Sequence, residues 1–189
     1  MVRGLRWTIH DLEALPDDGT RYEIVDGELY MSKQPNWNHQ GICDFFVSTL
    51  RGWSRESSLG WVRSGAGIIF DDENNVVPDV IWISKARLAT ALQADGKLHA
   101  APELVIEVLS PGSTNEARDR EAKRKLYSRR GVSEYWLVSW QRRELEVYRR
   151  DAESLALELA ATLYEIDTLK SPLLPGFVCL VSGIFEDVK

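Results

Sequence analysis

The chain is 189 residues long, with 44% hydrophobic and 28% charged residues and a formal net charge of −6, a balance suited to one globular domain over residues 1–189. Its uncharged apolar runs fall well short of the roughly 20 residues a membrane-spanning helix needs, and the opening Met1-Val2-Arg3-Gly4-Leu5-Arg6-Trp7 has no apolar h-region of a secretory signal. Two cysteines, Cys43 and Cys179, lie among apolar neighbours. They are too few for a disulfide framework or a zinc knuckle and read as buried free thiols of a cytoplasmic protein.

Thr8-Ile9-His10-Asp11 starts a short helix, with Thr8 as N-cap and Asp11 three residues on, ending near Pro16-Asp17-Asp18-Gly19. Tyr22–Val25, Asp26-Gly27 and Glu28–Met31 form a hairpin, because Asp-Gly suits a two-residue turn with positive φ at both positions. In that register Glu23 and Glu28 share one side, which reads as solvated ahead of offering a site a further carboxylate, and Tyr22, Ile24, Leu29 and Met31 share the apolar one. From Asn38 to Arg55, Ile42, Phe45, Phe46, Thr49, Leu50 and Trp53 recur at helical spacing. Trp61–Phe70 is expected as one strand, then an acidic turn, a strand over Val76–Ile83, a short helix over Lys85–Gln93 and a strand over Glu103–Leu109. Ser113-Thr114-Asn115 would cap a helix from Glu116 to Arg129, with Gly131 as its left-handed C-cap. Glu134–Trp140 and Glu144–Tyr148 form a strand pair, Leu155–Tyr164 leans to strand, and Pro172–Ile184 is a last extended segment. The sum is an α/β or α+β domain, a mixed and mostly buried sheet flanked by helices.

Charge is uneven along the chain. Between Arg118 and Arg150 eleven Lys and Arg residues stand against five acids. Such asymmetry marks either a surface for a polyanion or a solvated helix and edge hairpin, and charge alone favours the second. The tryptophans lie in apolar stretches and are assigned to core or interface ahead of base stacking.

The two most hydrophobic strands each hold one acid. Asp79 alternates with Val77, Ile81 and Ile83, and Glu107 with Val105 and Leu109. A carboxylate in a strand buried on both faces costs several kcal/mol, on the order of a lost ion hydration, unless partnered. Taken singly, Asp79 reads as a strand-end or bulge residue beside Pro78 that caps a local N–H, and Glu107 as one half of a buried ion pair. But neighbouring strands lie about 5 Å apart, so the two acids can meet, and like charges that close call for a cation between them. Magnesium, with its preference for few protein oxygens, water and phosphate, suits such a site. Asp119, Lys123 and Tyr127 share one helical face at four-residue spacing, either as a surface Asp–Lys pair or with Lys123 aimed at the carboxylates.

Pro78-Asp79, then Glu107-Val108-Leu109-Ser110-Pro111, Asp119-x-x-x-Lys123-x-x-x-Tyr127 and Gly131-Val132-x-Glu134-Tyr135-Trp136-Leu137-Val138 follow in that order. Together with the Tyr22-Glu23-x-x-Asp26-Gly27-Glu28 hairpin, His39-Gln40 and the Ser171–Gly176 ending, the sequence resembles a large bacterial family of restriction-endonuclease-like proteins within the PD-(D/E)XK nuclease superfamily, from about Thr8 to Phe185. The resemblance implies a restriction-endonuclease-like fold, a central mixed β-sheet flanked by helices. It also implies Mg²⁺-dependent (or Mn²⁺-dependent) hydrolysis of phosphodiester bonds in DNA. Carried over by position, Asp79 and Glu107 are catalytic metal ligands, with the Val108 carbonyl as a third, and Lys123 is the catalytic lysine. The superfamily pattern places lysine two residues after the acid, where this chain has Leu109, and Lys123 on the next helix takes its place. Ser139-Trp140 stands where the family has Asp-Pro and concerns the turn.

His39 either hydrogen-bonds near the site or packs and caps its helix. A homodimer follows by analogy with nucleases that cut both strands. Besides a DNA endonuclease, two readings stay open: a catalytically inactive module of the same fold binding DNA or protein, and hydrolysis of RNA or a small nucleotide.

Overall fold

The two acid-bearing strands lie side by side in the middle of a six-stranded sheet. The computed structural model describes residues 6–16, 18–32, 36–110, 112 and 116–189. In chain order the elements are α1 (Ile9–Leu12), β1 (Arg21–Val25), β2 (Glu28–Ser32), α2 (Trp37–Ser57), β3 (Gly60–Ser64), β4 (Ile68–Asp71), β5 (Asn74–Val76), β6 (Val80–Ser84), α3 (Lys85–Ala91) and β7 (Leu104–Val108). A π-helical segment (Arg118–Lys123) then runs into α4 (Arg124–Arg130), followed by β8 (Glu134–Ser139), β9 (Glu144–Arg150), β10 (Leu157–Tyr164), β11 (Thr168–Lys170), β12 (Val178–Leu180) and α5 (Val181–Ile184). The expected cap at Ser113–Asn115 lies outside the described residues.

The large sheet has the order β10-β9-β8-β7-β6-β3 and a smaller one β2-β1-β5-β4, while β11 and β12 pair apart. Only β7 and β8 run parallel in the large sheet, and the helical segment between them supplies the crossover that a parallel pair requires. Period-two alternation sorts the central strands onto two cores. Val80, Trp82, Leu104, Ile106, Val108, Trp136 and Val138 face Ile42, Phe46 and Leu50 of α2. Ile81, Ile83, Val105, Leu109, Tyr135 and Leu137 face Leu126 and Tyr127 of α4, with Val25 and Val76 of the small sheet. Burial on both faces is why these strands read as near-continuous apolar runs.

The hairpin forms in the expected register, with Val25 opposite Glu28 and Glu23 opposite Tyr30; Asp26 and Gly27 take φ of 51° and 76°. Asn36 caps α2 by accepting the His39 N–H at 2.9 Å. Gly131 ends α4 at φ 89°. Both cysteines are free and buried, and among the described residues no helix is long and apolar enough to cross a membrane.

Three expectations need correction. Trp61–Phe70 is two strands, because Gly65 (φ 60°) turns the chain out of the large sheet and β4 joins the small one. Val76–Ile83 breaks likewise, since Pro78 has no N–H for a ladder, leaving β5 in the small sheet and β6 in the large. The two breaks coincide, joined by the Gly65 N–H on the Asp79 carbonyl at 3.1 Å, so Asp79 sits where the sheets part. Finally, Pro172–Ile184 is extended only over β12; Val181 and Ile184, three residues apart, turn inward as the buried side of α5.

Gly60 shows how tightly β3 is held. A Cβ there would lie 2.3 Å from the Ile83 carbonyl and 2.8 Å from the Trp82 ring. Gly60→Ala is therefore expected to destabilise the fold by about 1–3 kcal/mol, read as a lower urea midpoint at unchanged m-value.

Candidate active site

Continuing the β6–β7 register, in which Val80 faces Ile106, puts Asp79 opposite Glu107. Asp79 Oδ2 accepts the Val108 N–H at 2.9 Å and lies 3.1 Å from His39 Nε2, while Oδ1 is 3.4 Å from the Arg21 guanidinium. His39 comes from the first turns of α2, and its Nδ1 is 3.6 Å from Cys43 Sγ one turn on. Of His39's two readings, contact with the site is the one observed.

Lys123 is fully buried, and its Nζ donates to Glu107 Oε1 at 2.9 Å, where the Tyr127 hydroxyl also donates at 3.1 Å. The Asp119–Lys123–Tyr127 face thus points into the protein rather than to solvent, with Lys123 Nζ 3.8 Å from Asp119 Oδ1. Where an unbroken α-helix was expected, the backbone over Arg118–Lys123 is a π turn, a form common at functional sites. Arg118 holds Asp119 by two hydrogen bonds, at 2.8 and 3.2 Å, and the Tyr135 hydroxyl donates to the Asp119 carbonyl.

Glu23 follows the less favoured of its two readings. It is completely buried, not on a solvated hairpin face; its Oε1 lies 2.9 Å from Lys123 Nζ and accepts the Val77 N–H at 2.7 Å. The small sheet folds its Glu23 side over the π turn, so both faces of β1 are covered. The one local signal was Glu23's place in the hairpin motif carried by the resemblance.

Burial acts on all these groups, with different outcomes. Glu107 is pushed up by desolvation, which Lys123 opposes and the charges of Asp79, Asp119 and Glu23 reinforce. Burial also acts to raise Asp79, but the His39 hydrogen bond and charge, with the Val108 N–H, outweigh it and hold Asp79 below the usual carboxylate range. Desolvation would lower Lys123; Glu107, Glu23 and Asp119 overcome it and keep the ammonium charged. Two neighbouring carboxyls are thereby driven apart, a pattern of sites that handle protons.

The donor set fits a hard divalent cation. Glu23, Asp79, Glu107 and Asp119 supply hard carboxylate oxygens facing Arg21, Arg118 and Lys123, and a cation on Glu107 would take the place of the proton that desolvation favours there. Among the described residues, Glu23 Oε2 is buried without a hydrogen bond, 3.9 Å from Arg118 Nη1, a costly arrangement in isolation. Ligand atoms of His39, Cys43 and Asp79 also lie within 4.8 Å of one another. Desolvation, with the Asp79 charge adding to it, pushes the Cys43 thiol up in the metal-free protein, and His39 of this trio reaches Asp79 directly.

The basic stretch from Arg118 to Arg150 is largely used internally. Arg120 pairs with Glu146, Arg129 with Asp26, Arg130 with Asp71, Arg142 with Glu144, Arg143 with Glu165 and Arg149 with Glu134. Arg124 and Arg150 donate to backbone carbonyls. Its excess charge therefore ties strands and loops together rather than forming an open stripe.

A family model described as "Putative restriction endonuclease", Uma2, matches residues 9–182. Among solved structures the chain is similar to a protein from Anabaena variabilis described as a "putative nuclease belonging to DUF820", with a TM-score of 0.74 and 17% identity over 95% of this chain and 97% of that one. No curated protein matches the sequence. The fold is thus that of the Anabaena protein, a central mixed sheet flanked by helices, and the chain belongs to the Uma2 family of restriction-endonuclease-like proteins.

Proposed function

We propose that this chain is a Mg²⁺- or Mn²⁺-dependent endonuclease that hydrolyses phosphodiester bonds in DNA. One observation carries the reading: a buried ammonium, Lys123 Nζ, 2.9 Å from Glu107, beside a second carboxylate, Asp79, opposite it in the sheet. Family membership supports the same chemistry.

In this reading Asp79 and Glu107, with the Val108 carbonyl, hold the ion. A divalent cation bound there polarises a phosphoryl oxygen and makes hydroxide available near neutral pH. The chain's own residues do the rest. The Val108 N–H and His39 fix Asp79; Tyr127 and Lys123 fix Glu107. Glu23 holds Lys123 from its other side, so the ammonium is aimed without a mobile side chain to order. Its charge stands ready to orient water and offset negative charge on the phosphate in the transition state.

The test is cleavage of supercoiled plasmid. Nicked and linear products are expected with Mg²⁺ or Mn²⁺ and none in EDTA; intact plasmid under every ion condition would overturn the reading. A second expectation concerns His39, which orients a ligand without being one in this scheme. His39→Ala should weaken Mn²⁺ binding about 10–100-fold in calorimetric titration, whereas unchanged affinity would remove His39 from the site.

A further inference from the structure

The cations this fold leaves open lie elsewhere. A cleft of 410 Å³ at the edge of the large sheet is lined by Arg51, Arg55, Ser58, Trp61, Arg63 and Lys85, and among the described residues no acid lines it. Among the described residues, none of these four cations takes part in an ion pair, in contrast to most of the arginines from Arg118 onward. All four are exposed. Trp61 is 47% exposed, and the Arg63 guanidinium lies over its ring at 5.7 Å. The last turns of α2 favour Arg51 and Arg55 through the helix dipole, but that does not account for the others. Arg63 is on a strand, and Lys85 opens α3, where a cation is disfavoured and no acid accompanies it.

Place strengthens the case. β3 is an edge strand. Trp61 faces Ile83 and Arg63 faces Ile81 across the ladder, so both share the face of the sheet on which Asp79 alternates. From Trp61 the strand runs toward Gly65, which is bonded to Asp79, about 13 Å away at about 3.3 Å per residue. A phosphate chain lying along β3 would lead into the acid site.

We propose that this cleft binds an unpaired nucleic-acid strand, its phosphates on Arg51, Arg55, Arg63 and Lys85 and one base stacked on Trp61. Unpaired bases expose the faces that aromatic side chains stack on, and such binding tolerates any sequence. The inference rests on the nuclease reading and extends it to how the strand beside the cut is held.

Binding of short fluorescein-labelled oligo(dT) and oligo(U), and of a duplex of equal length, is measured by anisotropy in EDTA, where no cutting occurs. At least one single strand should bind more tightly than the duplex. Four contacts predict a log–log salt slope of about −2.8, falling to about −1.4 in Arg51→Ala/Arg55→Ala. Trp61→Ala should weaken binding about tenfold and Trp61→Phe much less. Because both arginines are exposed, the double-arginine variant should keep the parent's circular dichroism and urea midpoint. Tighter duplex binding, or variants that bind like the parent, would overturn the proposal. Parent protein that binds the strand but never cuts plasmid would remove the nuclease reading and leave the cleft assignment standing.

Discussion

Glu107→Gln or Asp79→Asn is expected to slow plasmid cutting by about 10³-fold, within the range for loss of a group acting directly on the reaction, while the fold persists. In Glu107→Gln the amide oxygen can still accept the Tyr127 hydroxyl, and Lys123 keeps Glu23 and Asp119. Removing one charge also relieves repulsion among carboxylates that already crowd Glu107. In Asp79→Asn the side-chain oxygen can still accept the Val108 N–H. Circular dichroism and urea midpoints near those of the parent would separate a chemical loss from unfolding. Cutting at the parental rate by either variant would exclude that residue from the reaction.

Lys123→Met should destabilise the protein by about 3–5 kcal/mol, the scale for deleting one partner of a buried charge cluster. The methionine fills similar space, so the loss is electrostatic: Glu23 and Glu107, both buried, each lose an ammonium 2.9 Å away. A melting temperature lower by roughly 10 °C would accompany this in a domain of such size. A surface Asp–Lys pair would cost only a few tenths, about 0.3–0.5 kcal/mol. Adding Glu23→Gln to Lys123→Met should restore part of the lost stability, since one uncompensated charge is then removed. A single variant as stable as the parent, or a double variant less stable than the single one, would contradict the buried network.

These effects depend on features that differ in how openly the sequence displays them. Alternation set Asp79 with Ile81 and Ile83, and Glu107 with Val105 and Leu109, so that the two acids could meet; that they stand opposite each other follows from the β6–β7 register, which the pattern of a single strand does not fix. Four-residue spacing placed Asp119, Lys123 and Tyr127 together, though not whether that face turned inward. Asp26-Gly27 fixed its hairpin because few residues tolerate positive φ. The burial of Glu23 was not legible because alternation says which residues share a side, never what covers that side; its cover is a π turn almost a hundred residues along the chain. Coverage is a tertiary fact.

The same distinction explains the charges. The run from Arg118 to Arg150 is conspicuous in sequence, yet its arginines face acids brought from Asp26, Asp71 and Glu165. Arg51, Arg55, Arg63 and Lys85 form no run, but the turn from α2 into β3 and the β3–β6 pairing gather them into one cleft. Similarly, Gly65 and Pro78 each look like ordinary punctuation. Only pairing of their strands reveals that they break two sheets at one point and leave Asp79 at the seam.

The most direct test is anomalous diffraction from crystals soaked in Mn²⁺. A single strong peak is expected about 2 Å from a carboxylate oxygen of both Asp79 and Glu107, with the Lys123 ammonium still against Glu107. A peak held by His39 and Cys43 away from Glu107, or none near either acid, would contradict the shared-ion site.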